Sequence, residues 1–201
     1  MSKTWSLILV VAFSLGYGVK AYLDAQQEVA AQSAQQKADM PMVTGEGGKE
    51  VALFHPEDPR INVLYFGFTR CPDVCPTSLA MLSAALKQVD EETLNKIRPI
   101  FITLDPERDS GADSDTYAKY FHPNFEGYAA DADTLKALAD KYGVIYIRNE
   151  LEDSALEYTV DHNSYFYFLA PNGSEITKVQ HTLSPAPLVK AINTITSGTQ
   201  Q

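Results

Sequence analysis

Cys71 and Cys75 are the only cysteines in the 201-residue chain, and three residues separate them. They lie in the run Phe66–Pro76, and each is followed by a proline. Two thiols this close can form a reversible disulfide or bind a soft metal ion as thiolates. A structural disulfide here would close too short a loop to stabilise the fold much, and histidines at zinc-finger spacing are lacking. The pattern therefore favours a redox-active or metal-binding dithiol.

The residues after the cysteines have the spacing of an amphipathic helix. An apolar stripe predicts a helix over Thr77–Val89, with Pro76 as its first residue. Cys75 would then cap the helix, where the helix dipole favours a thiolate. Residues four apart on a helix share a face, so both sulfurs could bind one ion. The three-residue interval favours metal binding over simple redox cycling, and two thiolates suit Cu(I), while an added imidazole also admits Cu(II).

A third ligand would come from one of four histidines, none of them near the cysteines in sequence. His162 is the best placed, because it follows Asp161 and precedes the aromatic strand Tyr165–Phe168. A loop at that point can face the cysteine turn across the end of a sheet. By position alone, a lone histidine is more often a surface or core residue than a ligand. The others, interpreted as structural or solvated, are His55, His122 and His181.

Strand and helix signals alternate from Glu50 onward, which predicts an α/β, thioredoxin-like fold with a central mixed sheet flanked by helices. Val51–Phe54 and Ile61–Phe66 are expected to be adjacent strands before the cysteine turn. The later predicted elements are the strand Pro99–Leu104, helices at Ser114–His122 and from Asp131, a hairpin of Tyr165–Leu169 with Ile176–Gln180, and a helix ending near Thr196. We assign 24–49 to a Gln/Ala/Gly-rich linker, 50–196 to the domain and 197–201 to a tail.

The overall composition limits the classes of partner. The chain carries 26 acidic and 16 basic side chains, a formal charge of −10. Such a surface repels phosphate backbones, so we expect no nucleic-acid partner. The hydrophobic content of 45% is normal for a globular core, and the length fits one domain plus an appendage.

The appendage is an apolar N-terminal segment. Trp5–Val19 contains no charged residue, and Lys3 and Lys20 flank it. Continued to Leu23, it gives about 28 Å of helix, close to the ~30 Å hydrocarbon core of a bilayer. We interpret 1–23 as an uncleaved transmembrane signal-anchor, with a cleaved signal peptide as the alternative. The positive-inside tendency then places the domain on the periplasmic side of a bacterial-type inner membrane, or in the equivalent topology in mitochondria.

Three separated segments carry a resemblance to a known family. They are Tyr65–Thr69 with Cys71–Pro76, Phe101–Asp109, and Val160–His162 with its downstream aromatic strand. Together with the predicted anchor, they make the sequence similar to the Sco/SenC family of membrane-anchored copper chaperones for cytochrome c oxidase assembly. The resemblance covers roughly residues 50–193, and the combination is far more specific than a lone C-x-x-x-C motif.

The resemblance implies a thioredoxin-like domain that binds copper, as Cu(I) or Cu(II), through Cys71, Cys75 and His162. It implies that the copper goes to the CuA site of cytochrome c oxidase subunit II or a related copper protein, with another copper carrier as a further partner. Asp105 and Asp109 match the family's D-P-x-R-D segment. They either shape the site from behind the ligands or form a strand-ending turn with a helix cap, and we do not count them as ligands.

Two functions of different classes fit these residues. A metallochaperone needs all three predicted ligands, whereas a thiol-disulfide oxidoreductase that keeps the oxidase cysteines reduced needs only Cys71 and Cys75. We favour a copper chaperone over an enzyme, with oxidoreductase activity as an accessory function. A redox or copper sensor is a third alternative, although the sequence contains no recognisable signalling surface.

Overall fold

The computed structural model describes residues 15–29, 31–32, 40–152, 154 and 156–198. The chain divides into two compact units, Met1–Gln36 and Lys37–Gln201. In the first unit, 15–29 and 31–32 are helical, while 1–14 of the predicted anchor lie outside the described residues. Among the residues that are described, no helix combines the length and the apolar character that crossing a bilayer requires.

A five-stranded sheet forms the centre of the second unit. Its strands are β3 Ile61–Gly67, β4 Ile97–Thr103, β5 Glu126–Tyr128, β8 Tyr165–Leu169 and β9 Glu175–Gln180. They lie in the order β5–β4–β3–β8–β9. The first three are parallel to one another, whereas β8 and β9 are antiparallel to their neighbours. The predicted hairpin of β8 and β9 and the predicted mixed sheet are therefore confirmed.

Every residue of β3 and of β4 is buried, because helices cover both faces of the sheet. These helices are α1 Val74–Leu86, α2 Glu91–Leu94, α3 Gly111–Phe121, α4 Ala132–Tyr142 and α5 Ala186–Gly198. On one face the Phe101 ring of β4 contacts Tyr117 of α3, and on the other the Phe66 ring of β3 contacts Tyr142 of α4. Tyr65 pairs with Phe101 and shares its face, since successive strand residues point to opposite sides.

A small hairpin precedes the sheet in the sequence. It consists of β1 Met42–Thr44 and β2 Glu50–Ala52, which pair antiparallel. Thr44 and Ala129 exchange backbone hydrogen bonds of 2.7 and 2.9 Å, which attach the hairpin beyond the end of β5. Strand β1 lies inside the range 24–49 that we assigned to a linker, so the folded domain includes residues before Glu50.

The prediction that Val51–Phe54 and Ile61–Phe66 are neighbouring strands is wrong. The reason is that β4 and β8 occupy both edges of β3, which leaves no edge for β2. The last helix also continues to Gly198, so the predicted tail at 197–201 begins as helix. Residues 199–201 lie outside the described part of the chain.

A second hairpin was not predicted from the sequence. Strands β6 Tyr146–Glu150 and β7 Tyr158–His162 pair with each other and form a separate two-stranded sheet. Strand β6 has the sequence Tyr-Ile-Arg-Asn-Glu and is mostly exposed, so it lacks the alternation of apolar and polar residues that identifies a half-buried strand. This hairpin matters for function because β7 ends at His162.

Gly127 provides a test of how α3 packs on the sheet. A Cβ atom on Gly127 would lie 2.1 Å from the backbone oxygen of Ser114 and 2.4 Å from the backbone nitrogen of Asp115. We predict that Gly127→Ala destabilises the domain by about 1–3 kcal/mol or more, because backbone atoms of α3 must move. Chemical denaturation followed by far-UV circular dichroism measures this. Gly198→Ala is the matched control, since nothing lies within 4 Å of its Cβ position. Equal stabilities of the two variants would contradict the close packing.

Candidate functional site

The cysteine loop, residues Phe68–Asp73, connects the end of β3 to the start of α1. A turn closes it, in which the N–H of Cys71 donates to the carbonyl of Phe68 at 3.2 Å. Asp73 occupies the N-cap position of α1, but its side chain makes no capping bond. The N–H groups of the first helical turn are therefore available to the loop. Cys71 is half-buried, and Cys75 in the first turn is fully buried.

Helix α1 begins at Val74, before the predicted start at Pro76. Pro76 is the third helical residue, a position whose N–H has no intrahelical partner in any case. Cys75 therefore lies inside the first turn, and the prediction that it caps the helix as the stabilised thiolate is wrong. Its backbone N–H instead donates to the Sγ of Cys71 at 3.4 Å. The helix start thus favours a thiolate at Cys71.

The two free thiols differ strongly in acidity. A hydrogen bond from the Cys75 thiol, helped by the N–H groups of Asp73, Cys75 and Val74, lowers the pKa of Cys71 to about 6 against the opposing effect of burial. The same hydrogen bond and burial raise the pKa of Cys75 above the ordinary thiol value. At neutral pH, Cys71 is thus mainly a thiolate, and Cys75 is the thiol that donates to it.

Gly67 allows Cys75 to lie against the end of β3. A Cβ atom on Gly67 would lie 2.9 Å from the Sγ of Cys75 and 3.0 Å from the ring of Phe101. Both distances are shorter than ordinary van der Waals contacts, so a larger residue would displace α1. The glycine therefore fixes how closely the buried thiol approaches the sheet.

His162 ends β7 and lies beside the buried thiol. Its Nε2 is 3.5 Å from the Sγ of Cys75, and its Nδ1 is 3.2 Å from the carbonyl oxygen of Asn163. A proton on Nδ1 satisfies that carbonyl and leaves the Nε2 lone pair facing the sulfur. Burial lowers the pKa of the imidazole, which keeps it neutral. Tyr65 and Phe68 hold the ring edge-on, with centroids 6.3 and 6.4 Å away.

The other histidines lie apart from this group. His181 bonds through Nδ1 to the hydroxyl of Ser78 at 2.7 Å, which ties the chain after β9 to α1. His122 accepts from the N–H of Asn124 at 3.2 Å, and His55 is exposed in a turn. These contacts agree with the structural or solvated roles expected for them.

Asp109 fixes the cysteine loop to β4. Its buried carboxylate accepts hydrogen bonds from the N–H of Thr69 at 2.8 Å, from the Thr69 hydroxyl, and from the hydroxyl of Thr103 at 2.7 Å. A carboxylate this deeply buried needs such donors. The N-cap of α3 is Ser110, so Asp109 is not a helix cap. It shapes the site from behind the cysteines, one of the two roles considered from the sequence.

Arg108 connects the same turn to the β6–β7 hairpin. It forms an ion pair with Asp105, and its Nη1 donates to the carbonyls of Leu156 at 2.8 Å and Tyr158 at 3.1 Å. Its guanidinium also stacks 3.4 Å from the centroid of the Tyr158 ring. The Tyr158 hydroxyl donates to Asp105 at 2.7 Å. These bonds hold the start of β7, and thereby His162 at its end.

The sequence analysis did not single out Arg108, Tyr158 or Thr69. Arg108 stood within the D-P-x-R-D segment, which was the only available signal, while Tyr158 lies in the unpredicted hairpin. Their roles depend on contacts between segments about 50 residues apart in the chain, such as the bond from Arg108 to Tyr158. Local patterns do not contain such information.

A cavity of about 300 Å³ opens between the cysteine loop and β7. Cys71 and Pro72 form one wall, and Thr159–His162 form the other. In the part of the chain that the structure describes, no group of three or more Cys, His, Asp or Glu side chains is arranged so that it could hold a metal ion as it stands. Cys71, Cys75 and His162 nevertheless lie next to one another, because Cys75 contacts both Cys71 and His162.

The fold and this site define a thioredoxin-like protein with a dithiol at the start of helix α1 and an added histidine. The chain belongs to the SCO1/SenC family, whose sequence model matches residues 26–197. The resemblance seen in the sequence is thereby confirmed.

Individual relatives agree with the family match. Protein SCO1 homolog 1, mitochondrial, from Arabidopsis thaliana is 41% identical over 109 residues, which are 54% of this chain and 32% of that protein. The SCO2-like protein of Rickettsia felis is 35% identical over 130 residues, 65% of this chain and 63% of the relative. The chain thus spans from about a third to just under two thirds of the length of these relatives.

A solved structure supports the fold independently. The crystal structure of Arabidopsis thaliana ScoI with copper bound matches with a TM-score of 0.68 and 31% sequence identity. The match covers 78% of this chain and 96% of that one. The thioredoxin-like architecture is therefore shared over nearly the whole of the related domain.

The difference in acidity between the thiols can be measured by alkylation. We predict that iodoacetamide modifies Cys71 with a pH profile whose midpoint is about 6, because the thiolate is the reactive form. Cys75 stays unmodified in the folded protein, since it is buried and protonated. Mass spectrometry of peptides after timed reactions at pH 5–9 provides the profile.

Cys75→Ala is the informative variant for this experiment. It removes the thiol that donates to Cys71, so the midpoint should move up towards the ordinary cysteine value of about 8.5. A wild-type midpoint above 8, or faster labelling of Cys75 than of Cys71, would show that the assignment of the thiolate is wrong.

Proposed function

We propose that this protein is a copper-binding metallochaperone that serves assembly of the CuA centre of cytochrome c oxidase, and that Cys71, Cys75 and His162 hold the copper. The observation that carries the proposal is the placement of the Nε2 of His162 3.5 Å from the Sγ of Cys75, with Cys71 bonded to the same turn. Two sulfurs and an imidazole are a donor set suited to copper in either oxidation state. The copper-bound Arabidopsis relative supports the choice of metal.

The protonation states of the donors fit copper as cargo. Cys71 is already ionised at neutral pH, and neutral His162 presents a lone pair towards Cys75. Only Cys75 must lose a proton when the metal binds, because its pKa is raised. Binding therefore releases about one proton. At lower pH, protons compete with the metal for the Sγ of Cys75. Three protein donors also leave a position through which an acceptor can approach.

A thiol-disulfide oxidoreductase is the second candidate function, and the unequal acidity of the thiols favours it. Cys71 has the properties of an attacking thiolate, and Cys75 those of a resolving thiol adjacent to it. The partner would be the oxidase subunit or another protein whose cysteines must stay reduced. His162 has no required part in this chemistry, so it separates the two candidates.

His162→Ala tests the copper proposal. We predict that it weakens copper binding by more than the 10- to 100-fold that loss of an outer-shell partner costs, because a direct ligand is removed. Competition with a chromophoric Cu(I) chelator and metal analysis after gel filtration measure affinity and stoichiometry. His55→Ala is the matched control, since that exposed imidazole lies in a turn away from the site.

The same variants decide between the two candidate functions. Oxidase assembly should fail in cells that carry His162→Ala and proceed with His55→Ala if copper transfer is the activity. If His162→Ala retains full oxidase activity and Cys71→Ser loses it, the oxidoreductase function is correct and the copper-chaperone function is wrong. Copper affinity unchanged in His162→Ala would show that the ligand assignment is wrong.

The proposal includes anchoring by residues 1–23 in a bacterial-type inner membrane, with the domain in the periplasm. The uncharged stretch Trp5–Val19 supports this placement. Lys20 bonds to Asp24 at 2.6 Å and so reaches towards the C-terminal side, as a lysine near the end of a span does.

Alkaline carbonate extraction tests the anchor. We predict that the full chain stays with the membrane pellet, because an apolar span is not released by high pH. A chain that begins at Asp24 and is exported with an unrelated cleavable signal peptide serves as the control and should be released. If the full-length sequence is expressed and the released protein begins beyond Leu23, the segment is instead a cleaved signal peptide.

A further inference from the structure

The hydroxyl of Tyr65 is a buried polar group beside the cysteines that lacks a bonding partner. Tyr65 belongs to β3 and is fully buried. Its hydroxyl oxygen has no hydrogen-bond partner of satisfactory geometry among the residues that the structure describes. Burial of a hydroxyl without a partner is unfavourable, and most buried hydroxyls in proteins are therefore bonded. The position of this one next to a reactive thiol indicates a function for it.

Three polar groups surround this hydroxyl, namely the thiol of Cys75 and the hydroxyls of Ser78 and Ser164. The surroundings of Gly67 show how close the ring and the sulfur are. A Cβ atom on Gly67 would lie 2.9 Å from the Sγ of Cys75 and 3.1 Å from the Cε1 of Tyr65. That ring carbon is bonded to the carbon that bears the hydroxyl. The sulfur and the ring therefore share the space that the missing side chain of Gly67 leaves.

Neighbouring rings hold the Tyr65 ring in place. It packs against Phe166 of β8 with centroids 5.1 Å apart, and against His162 with centroids 6.3 Å apart. The Nε2 of His162 is itself 3.5 Å from the Sγ of Cys75. Because the core is closely packed around the ring, the hydroxyl oxygen stays beside the sulfur. Rotation about the C–O bond can still aim the hydroxyl proton at one acceptor or another.

Among the surrounding groups, an ionised Cys75 would be the strongest acceptor for this proton. Burial raises the pKa of Tyr65, so its hydroxyl remains a donor at neutral pH. The Oγ of Ser78 already bonds to the Nδ1 of His181 at 2.7 Å. Hydrogen bonds to a charged acceptor are roughly twice as strong as bonds between neutral groups. A thiolate at Cys75 would therefore attract the Tyr65 proton more strongly than a serine hydroxyl does.

We propose that Tyr65 is a positioning residue whose hydroxyl donates a hydrogen bond to the Sγ of Cys75 when that sulfur is a thiolate. The inference rests on the proposed function, in which Cys75 ionises either to hold copper or to resolve a mixed disulfide. While Cys75 is a thiol, it donates its own proton to Cys71, and the Tyr65 hydroxyl faces a neutral sulfur. Ionisation creates a strong acceptor where the hydroxyl already lies. The hydroxyl therefore favours the copper-holding or reacting state of Cys75 over its resting state.

Tyr65→Phe removes the hydroxyl and keeps the ring, so it tests the hydrogen bond alone. Tyr167→Phe is the matched control, because Tyr167 is also fully buried in the sheet and also has an unbonded hydroxyl. Its ring contacts Phe66 and Tyr142, on the other face of the sheet. We expect Tyr65→Phe to weaken Cu(I) binding by the full-length chain in detergent about 10- to 100-fold, as loss of an outer-shell partner does. Tyr167→Phe should bind as the wild type does, and competition with a chromophoric chelator measures both.

Two further measurements separate this role from a contribution to packing. The copper-free Tyr65→Phe chain should be as stable as the wild type or more stable, because a buried hydroxyl without a partner is lost. Chemical denaturation measures this, and lower stability together with weaker copper binding would overturn the positioning role.

The Cu(II) form provides a spectroscopic signature. Hydrogen bonding around a coordinating sulfur tunes the copper potential. In Tyr65→Phe the sulfur-to-copper charge-transfer band should therefore move to longer wavelength, and the reduction potential should fall. If the Cu(I) affinity falls tenfold more than the Cu(II) affinity, the fall in potential is about 59 mV. An unchanged band and potential would contradict a hydrogen bond to the sulfur.

Oxidation by glutathione disulfide tests the same hydrogen bond without copper. The Cys71 thiolate attacks the reagent, a mixed disulfide forms, and one glutathione thiolate leaves. The Cys75 thiol then loses its proton to solvent and attacks the Cys71 sulfur. The Cys71–Cys75 disulfide forms, and the second glutathione thiolate leaves.

We expect Tyr65→Phe to slow this second step about three- to tenfold and to leave the first step unchanged. The attacking thiolate loses its donor and becomes less abundant, and its higher intrinsic nucleophilicity compensates only in part. Acid quenching followed by mass spectrometry measures how long the mixed disulfide persists. Tyr167→Phe should show the wild-type rate for both steps.

The copper and glutathione measurements together separate this inference from the proposed function. If the wild type binds copper, and Tyr65→Phe changes neither the copper affinity nor the second step, the role of Tyr65 is disproved and the chaperone function stands. If the wild type binds no copper but Tyr65→Phe slows the second step, Tyr65 keeps its role and the chaperone function is wrong. Equal effects of Tyr65→Phe and Tyr167→Phe would overturn the inference, because the two hydroxyls lie on opposite faces of the sheet.

Discussion

Strand β3 lies in the middle of the sheet, with β4 paired along one edge, β8 along the other, and helices over both faces. The chain therefore emerges from these neighbours only at the end of β3. Gly67 stands at that point, and its missing side chain lets Cys75 pack against the strand end. The cysteine loop is therefore confined between a buried strand and a helix that cannot move away. The positions of both sulfurs follow from this confinement.

The turn that follows β4 makes two polar connections, and these hold the site together. Asp109 bonds to Thr69 in the cysteine loop, and Arg108 bonds to the carbonyl of Tyr158 in β7. The turn thus fixes the thiols from one side and the histidine strand from the other. Because both side chains are largely buried, their bonds are shielded from water and hold definite distances. A site assembled in this way depends on the turn as much as on its potential ligands.

Much of the fold could be predicted because buried strands and amphipathic helices carry strong local patterns. The apolar run of β3 and the hairpin of β8 and β9 are examples. The start of α1 was misplaced because Pro76 suits any position in the first turn, and the error moved the thiolate to the wrong cysteine. The β6–β7 hairpin was missed because its exposed strand has no alternation. His162 was selected as the best placed histidine because it precedes the aromatic strand, and the family resemblance supported the choice, since nothing local connects it to the cysteines.

The sequence separation of 87 residues between Cys75 and His162 has a consequence for the order of folding. The two sulfurs come together within one helical turn. The imidazole reaches them only when the chain between Cys75 and His162 has folded. Closing the longer loop costs roughly 3 kcal/mol more chain entropy than closing a loop of four residues. An ion held by all three donors would act as a cross-link across that loop and favour the native chain over the unfolded one. Under the proposed function, release of copper therefore also lowers the stability of the folded protein.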